Sequence, residues 1–249
     1  LNALNMVTVR PEIVNPEIIK ILISTTFKYN NNFTTLSRGE LEQLVNTTIN
    51  TYDSENLANF DSIFRHSNLV KNIDETDTSI LSNITNIRLK KATNMTLNKK
   101  IGYTNEFGNA FYHPNNKYNA DLGGILSSTG FTVTGDSVNT QYFDDDGEGN
   151  LRRFYLSGST RIYSDTTAGT VDYTTGKITI NALMVTSTVN TNTTIDFTVI
   201  PDSYDVVATR GSLVDISSAD VTVKGEIDTI ASGESSAGVG FNSTSSSTY

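Results

Sequence analysis

The sequence predicts an α+β protein in three parts. An N-terminal β-α-α-β module (an α/β unit, residues 1–101) is followed by a mainly antiparallel β domain (102–228) and a flexible or partner-ordered Ser/Gly-rich tail (229–249). Three observations predict it. One stretch near the start alternates apolar and polar residues, and the next repeats its apolar residues at helical spacing. Beyond about residue 101 the helical period disappears, and short alternating runs are separated by Gly, Asn and Asp. Asn, Ser and Thr fill about a third of the chain, well above ordinary globular usage and suited to turn-rich β structure.

The first element is "PEIIKILISTTFKYN", where Ile19, Ile21, Ile23, Thr25, Phe27 and Tyr29 share one face of a strand with a buried side. In "SRGELEQLVNTTINTY", Ser37 and Glu40 have the spacing of a capping box, so a helix starts there. Leu41, Leu44, Val45, Thr48, Ile49 and Tyr52 form its stripe. "SENLANFDSIFRHSNLVKNID" continues the period through Leu57, Phe60 and Phe64, then Leu69, Val70 and Ile73. It reads as a helix, a break near Ser67 and a short second piece. Alternation returns through Ile87 and Leu89 in "SNITNIRLKK", closing a unit over about residues 7–93. The basic run Arg88, Lys90, Lys91, Lys99 and Lys100 reads as a solvated strand edge guarded by lysines.

Seven or eight strands follow, among them "GGILSS", "GFTVTG", "LRRFYL", "TTIDFTVI" and "VTVKGEI". The strongest hairpin signal is "GTVDYTTGKITI", which sets Val171 and Tyr173 against Ile178 and Ile180 across a turn with Gly176 at its left-handed position.

The chain carries 18 Lys and Arg against 27 Asp and Glu, a formal net charge of −9, which disfavours a nucleic-acid grip built on clustered cations. Without cysteine there is no disulfide, no thiolate nucleophile and no Cys-ligated zinc. No apolar stretch is long enough for a membrane-spanning helix and no secretory signal is visible. The start at Leu1 rather than Met leads to the expectation of a longer parent chain.

The acidic stretch "YFDDDGEGNLRRFYL" is the main candidate for chemistry. A calcium EF-hand requires Gly at loop position 6 and Glu at 12. With Gly147 sixth the twelfth residue is Arg153, and with Gly149 sixth it is Tyr155, so both registers fail. A glycosidase needs two carboxyls on opposite sides of a bond, one of them desolvated, which crowding on one exposed loop does not supply. The stretch reads as a tight turn, with Arg152 and Arg153 placed to pair with the excess carboxylates. His66, near the end of a helix, and His113, beside a proline, read as surface or interface residues. No P-loop, dinucleotide fingerprint or nucleophile elbow is present. No catalytic, cofactor or metal residue is assigned, and the reading is of a non-enzymatic protein.

The passage from "IKILISTTFKYN" to "SILSNITNIRLKK" resembles a module of the baseplate J-like superfamily in contractile-tailed phages, through Phe64, Arg65, Ser67, Leu69, Ile73, Asp74, Ser79, Ile80, Ser82 and Asn83. "DDDGEGNLR", "GTVDYTTGKITI" and "IPDSYDVVATRGSLVDI" resemble the C-terminal half of T-even-like baseplate wedge proteins. The resemblance implies a homodimer that links wedges into a ring around the tail hub and rearranges on contraction. It implies other wedge proteins and tail-tube or sheath-proximal proteins as partners, and a place in the virion baseplate after assembly in the host cytoplasm. It implies a missing N-terminal part with helices that bundle with other wedge proteins, while charge, hydropathy and the motifs lead to the expectation of no nucleic acid, no membrane insertion and no cofactor. A hinge is expected near residues 94–104, with segments 103–119 and 229–249 ordering only against neighbours. The alternative is a receptor-binding or fibre-type β protein of a phage tail.

Overall fold

The first strand, β1 (Glu17–Tyr29), buries every second side chain from Ile19 to Tyr29, as its alternation requires. The computed structural model describes residues 16–113, 124–209 and 211–233. The segments expected to order against neighbours lie outside these residues at 114–119 and from 234 onward. Thr25 is the one polar member of the buried row, and its hydroxyl is hydrogen-bonded to that of Thr85 at 2.8 Å.

Helix α1 (Arg38–Asn56) begins at a complete capping box. The Ser37 N–H donates to Glu40 Oε2 at 2.7 Å, and the Glu40 N–H donates back to Ser37 Oγ. Leu41, Val45, Ile49 and Tyr52 are buried, whereas Leu44 lies off the stripe and is exposed. The helix does not continue to Phe64. It ends at Leu57, whose N–H donates to the Asp53 carbonyl, and Asp61 then takes a left-handed conformation. The short strand β2 (Ile63–Phe64) follows. Phe64 is buried edge-on against Tyr52, while Phe60 stays exposed. The break expected near Ser67 thus precedes helix α2 (His66–Asp74) rather than interrupting it.

Strand β3 (Ile80–Asn94) pairs antiparallel with β1 from Lys20↔Lys90 to Tyr29↔Ile80. Its last six residues pair on the other side with β11 (Thr194–Val199). The basic run is therefore interior to the sheet at Lys90 and Lys91, not at an edge. Lys91 is buried, donating to Glu17 Oε2 at 2.5 Å and to the Glu106 carbonyl, and Lys90 pairs with Asp220. The edge expectation fails because β11 lies about a hundred residues downstream, beyond the reach of local pattern.

Next come β4 (Lys100–Glu106), β5 (Leu126–Ser128), β6 (Phe131–Val133), β7 (Asp136–Asp145), β8 (Asn150–Ser157), β9 (Thr160–Asp172) and β10 (Lys177–Thr188). Strands β6 to β10 close on themselves in the order β6–β7–β8–β9–β10–β6, an antiparallel barrel with β4 added on β10 and β5 on β7. The "GTVDYTTGKITI" hairpin forms with Val171 opposite Ile178 and with Gly176 at φ 66°. The barrel core is continuous with the core beneath the helices.

The last strands return to the first module. β12 (Val206–Val207) pairs with β2, and both β13 (Ser212–Asp215) and β14 (Val221–Ile227) pair parallel with β1. "VTVKGEI", expected in the antiparallel domain, is thus a parallel neighbour of β1, and the barrel is inserted between β3 and β12. Residues 94–104 are not the sole joint between the two parts. The β3–β11 ladder and the Met95 N–H to Thr193 carbonyl bond cross between them. Within 103–113, β4 is paired and Phe107 and Phe111 are buried against each other, so this part of the polar segment is ordered by the chain itself.

Candidate functional site

The acidic stretch is a hairpin turn, but its carboxylates are not crowded on the surface. Strand β7 runs through Asp145, so Asp144 and Asp145 point to opposite sides of the barrel wall, and both are buried. Only Asp146–Gly149 form the turn, with Gly147 and Gly149 at positive φ. The exposure expected for the first two aspartates is corrected on that ground.

Asp144 is the centre of a polar network on the outer wall. It accepts from Arg152 Nε at 3.0 Å, Arg161 Nη1 at 2.7 Å and the Tyr163 hydroxyl at 2.9 Å. The Arg152 guanidinium lies 4.3 Å from the Tyr163 ring centroid and that of Arg161 lies 4.6 Å from the Phe154 ring centroid. Burial pushes the Asp144 carboxyl above its ordinary value, while Arg152, Tyr163 and Arg161 pull it back. Asp145 faces inward, where it accepts from the Leu126 N–H at 2.9 Å and the Tyr173 hydroxyl at 2.6 Å. Burial and this carboxylate drive the Tyr173 hydroxyl strongly upward. In the turn, burial raises Asp146, but hydrogen bonds from Asn150 and from the backbone of Glu148 and Asn150 carry it below its ordinary value.

Of the two arginines singled out, Arg152 pairs with Asp144, while Arg153 donates instead to Ser164 Oγ at 3.1 Å. Arg161 and Tyr163 went unnoticed in the sequence, and Tyr173 was read only as a hairpin residue, not as the donor to Asp145. The signal was the turn glycine at 158. A hairpin there brings Arg161 and Tyr163 onto β8 opposite Leu156 and Phe154. With every carboxylate oxygen of Asp144 and Asp145 accepting a hydrogen bond from a fixed donor, the network braces the wall.

His66 is apart from it, whereas His113 packs on its inner tyrosine. His66 begins α2 rather than ending a helix, and its Nε2 lies 2.8 Å from the Thr85 carbonyl. His113 stacks on Tyr173 with ring centroids 4.4 Å apart, its Nε2 3.1 Å from the Gly147 carbonyl. Among the described residues no group of three or more His, Cys, Asp or Glu side chains is placed to hold a metal ion, and no helix is long and apolar enough to cross a membrane.

The family-marking residues, by contrast, come together. Asn83 Nδ2 donates to the Val70 carbonyl at 3.0 Å and to Asp74 Oδ1 at 2.8 Å, tying β3 to α2. Arg65 pairs with Asp205 at 2.6 Å, and the His66 N–H donates to the same carboxylate, tying the start of α2 to the returning chain. Leu69 and Ile73 fill the core below. This is a locking arrangement.

That pattern belongs to a structural module, and the comparisons agree in kind. Residues 17–92 match the family model described as baseplate structural protein gp6, C-terminal domain III. The match begins at the first residue of β1 and ends two residues short of the end of β3, so it covers the marker residues. No match is found among curated proteins. The module thus carries the sequence pattern of a phage baseplate structural domain, and the barrel lies outside the match.

Proposed function

We propose that this chain is a non-enzymatic structural component of a contractile-tail baseplate wedge of T-even-like type. In this reading copies dimerise, link wedges into a ring around the tail hub and shift relative to one another when the tail contracts. Its partners are other wedge proteins and tail-tube or sheath-proximal proteins, met in the host cytoplasm during assembly and retained in the virion.

The observation that carries this reading is the family match over residues 17–92. It is supported by the use of the marker residues, which serve to fix elements to one another. An assembly subunit has to keep its shape under load, and a shared core with several crossings between module and barrel suits that demand. The test is the mass of the chain by light scattering in high salt over a concentration series. A dimer is expected, because a two-fold self-contact closes at two copies. A trimer would replace this reading with a fibre-type protein.

A further inference from the structure

Strand β7 changes partners in mid-course. Phe131 of β6 stands opposite Gln141, and Ser127 of β5 stands opposite Asp144, the single pair that β5 and β7 share. Tyr142 and Phe143, between the two, stand opposite no residue of either strand. The Phe143 N–H donates to Ser128 Oγ at 2.8 Å in place of a backbone carbonyl. The wall opens at this changeover, and a cavity of about 170 Å³ lies there. Leu126 and Phe143, both buried, form its floor. Its sides are Tyr142, Phe154 and Leu156, which share the outer face because Tyr142 pairs with Phe154 and Leu156 lies two residues on. Arg161, opposite Leu156, reaches back across the Phe154 ring to Asp144, and a third of its side chain remains exposed in the lining.

The lining selects its occupant. A cation meets the Arg161 guanidinium, while the one carboxylate present, Asp144, is already bonded to Arg152, Arg161 and Tyr163. An anion gains little, because Arg161 already has Asp144 as its counter-charge. A drug-sized molecule needs roughly 300 Å³ or more. One six-membered ring fits, since an apolar cavity of about 150 Å³ is enough to hold benzene. An aromatic ring gains more than an aliphatic group of the same size. It extends the stack that Tyr142 and Phe154 already make at 5.7 Å, and it meets a guanidinium that already lies over one ring.

We propose that this pocket receives a single six-membered aromatic side chain presented by a partner protein. Exposed Ser127 and half-exposed Leu156 border the mouth, so the ring enters while the backbone that carries it stays outside. Asp144 then has a second part to play. By holding Arg161 across Phe154 it fixes the guanidinium at the pocket before any ring arrives, which lowers the cost of ordering on binding. The inference stands on the cavity and its lining and not on the baseplate reading.

The test is an NMR titration of the full chain with N-acetyl-tyrosinamide, read at the backbone amides of Ser127, Ser128, Phe143 and Leu156. Saturable shifts confined to these positions are expected, in the millimolar range that one side chain supports. Leu156→Asp changes a half-exposed position and should abolish the shifts with the barrel still folded. Arg161→Lys keeps the charge but not the planar face, and should weaken binding at least about threefold. N-acetyl-leucinamide and phenol are the comparison probes. Absence of shifts with N-acetyl-tyrosinamide overturns the proposal, as do shifts that survive Leu156→Asp. Equal binding of N-acetyl-leucinamide overturns the choice of an aromatic ring. Binding of phenol without N-acetyl-tyrosinamide makes the occupant a free small molecule and overturns the partner side chain.

Discussion

Asp144→Ala removes the acceptor at the centre of the outer-wall network. The loss leaves Arg152, with only 7% of its side chain exposed, without its carboxylate, and the Arg161 and Tyr163 donors without theirs. Removing one partner of a buried ion pair costs about 3–5 kcal/mol, because the remaining charge is desolvated without compensation. For a chain of this size each kcal/mol lowers Tm by roughly 2–4 °C, so a fall of roughly 6–20 °C is expected. Asp144→Asn, which keeps the shape and one acceptor oxygen, should fall between wild type and Asp144→Ala. The control is Arg65→Ala, which breaks the Arg65–Asp205 pair, at 2.6 Å the shorter of the two, with half of the arginine side chain exposed. Such a pair contributes at most about 1 kcal/mol. Thermal unfolding followed by circular dichroism decides between them. If Asp144→Ala costs no more than Arg65→Ala, burial is not what gives the network its weight, and the reasoning fails.

Other outcomes follow from single positions. Ser37→Ala should cost about 1 kcal/mol and speed amide exchange at Glu40 and Leu41, since the capping box closes the first turn of α1; unchanged exchange there would show that the cap does not hold the turn. Gly169→Ala should destabilise the barrel severely, because a Cβ there collides with the Thr179 carbonyl on the neighbouring strand, whereas Gly39→Ala has open space and should gain up to about 1 kcal/mol of helix propensity. Equal melting temperatures for these two variants would refute the close β9–β10 approach. Asp146 has a folded-state value below its ordinary one, so its contribution is present above about pH 4 and is lost as pH falls through the lowered value. Asp146→Asn should therefore flatten the acid limb of a Tm-against-pH curve below about pH 4, and an unchanged limb would count against the turn hydrogen bonds.

What was legible in the sequence was whatever is decided locally. The buried row of β1 and the cap of α1 are written in alternation and in the Ser37–Glu40 spacing, and both stand in the structure. The Gly176 turn is likewise a local matter of a left-handed residue between two strands. What local pattern does not encode is partnership across the chain. Phe60 and Phe64 keep helical spacing, yet Ile63 and Phe64 are drawn into a strand by Val206 and Val207. Lys90 and Lys91 look like edge residues until β11 arrives on the far side of β3. Strand β14 alternates as any antiparallel strand would, and nothing within it records that β1 is its parallel neighbour. Asp144 and Asp145 looked like turn residues because they adjoin a turn, while the pleat of β7 buries both.

The measurement that tests the central claim most directly is gold-labelled antibody staining of intact contractile-tailed particles that contain this chain, viewed by electron microscopy before and after contraction. Label confined to the baseplate end of the tail, in a ring around its axis, is expected in both states. Label along the fibres, or absent from the assembled tail, would contradict it.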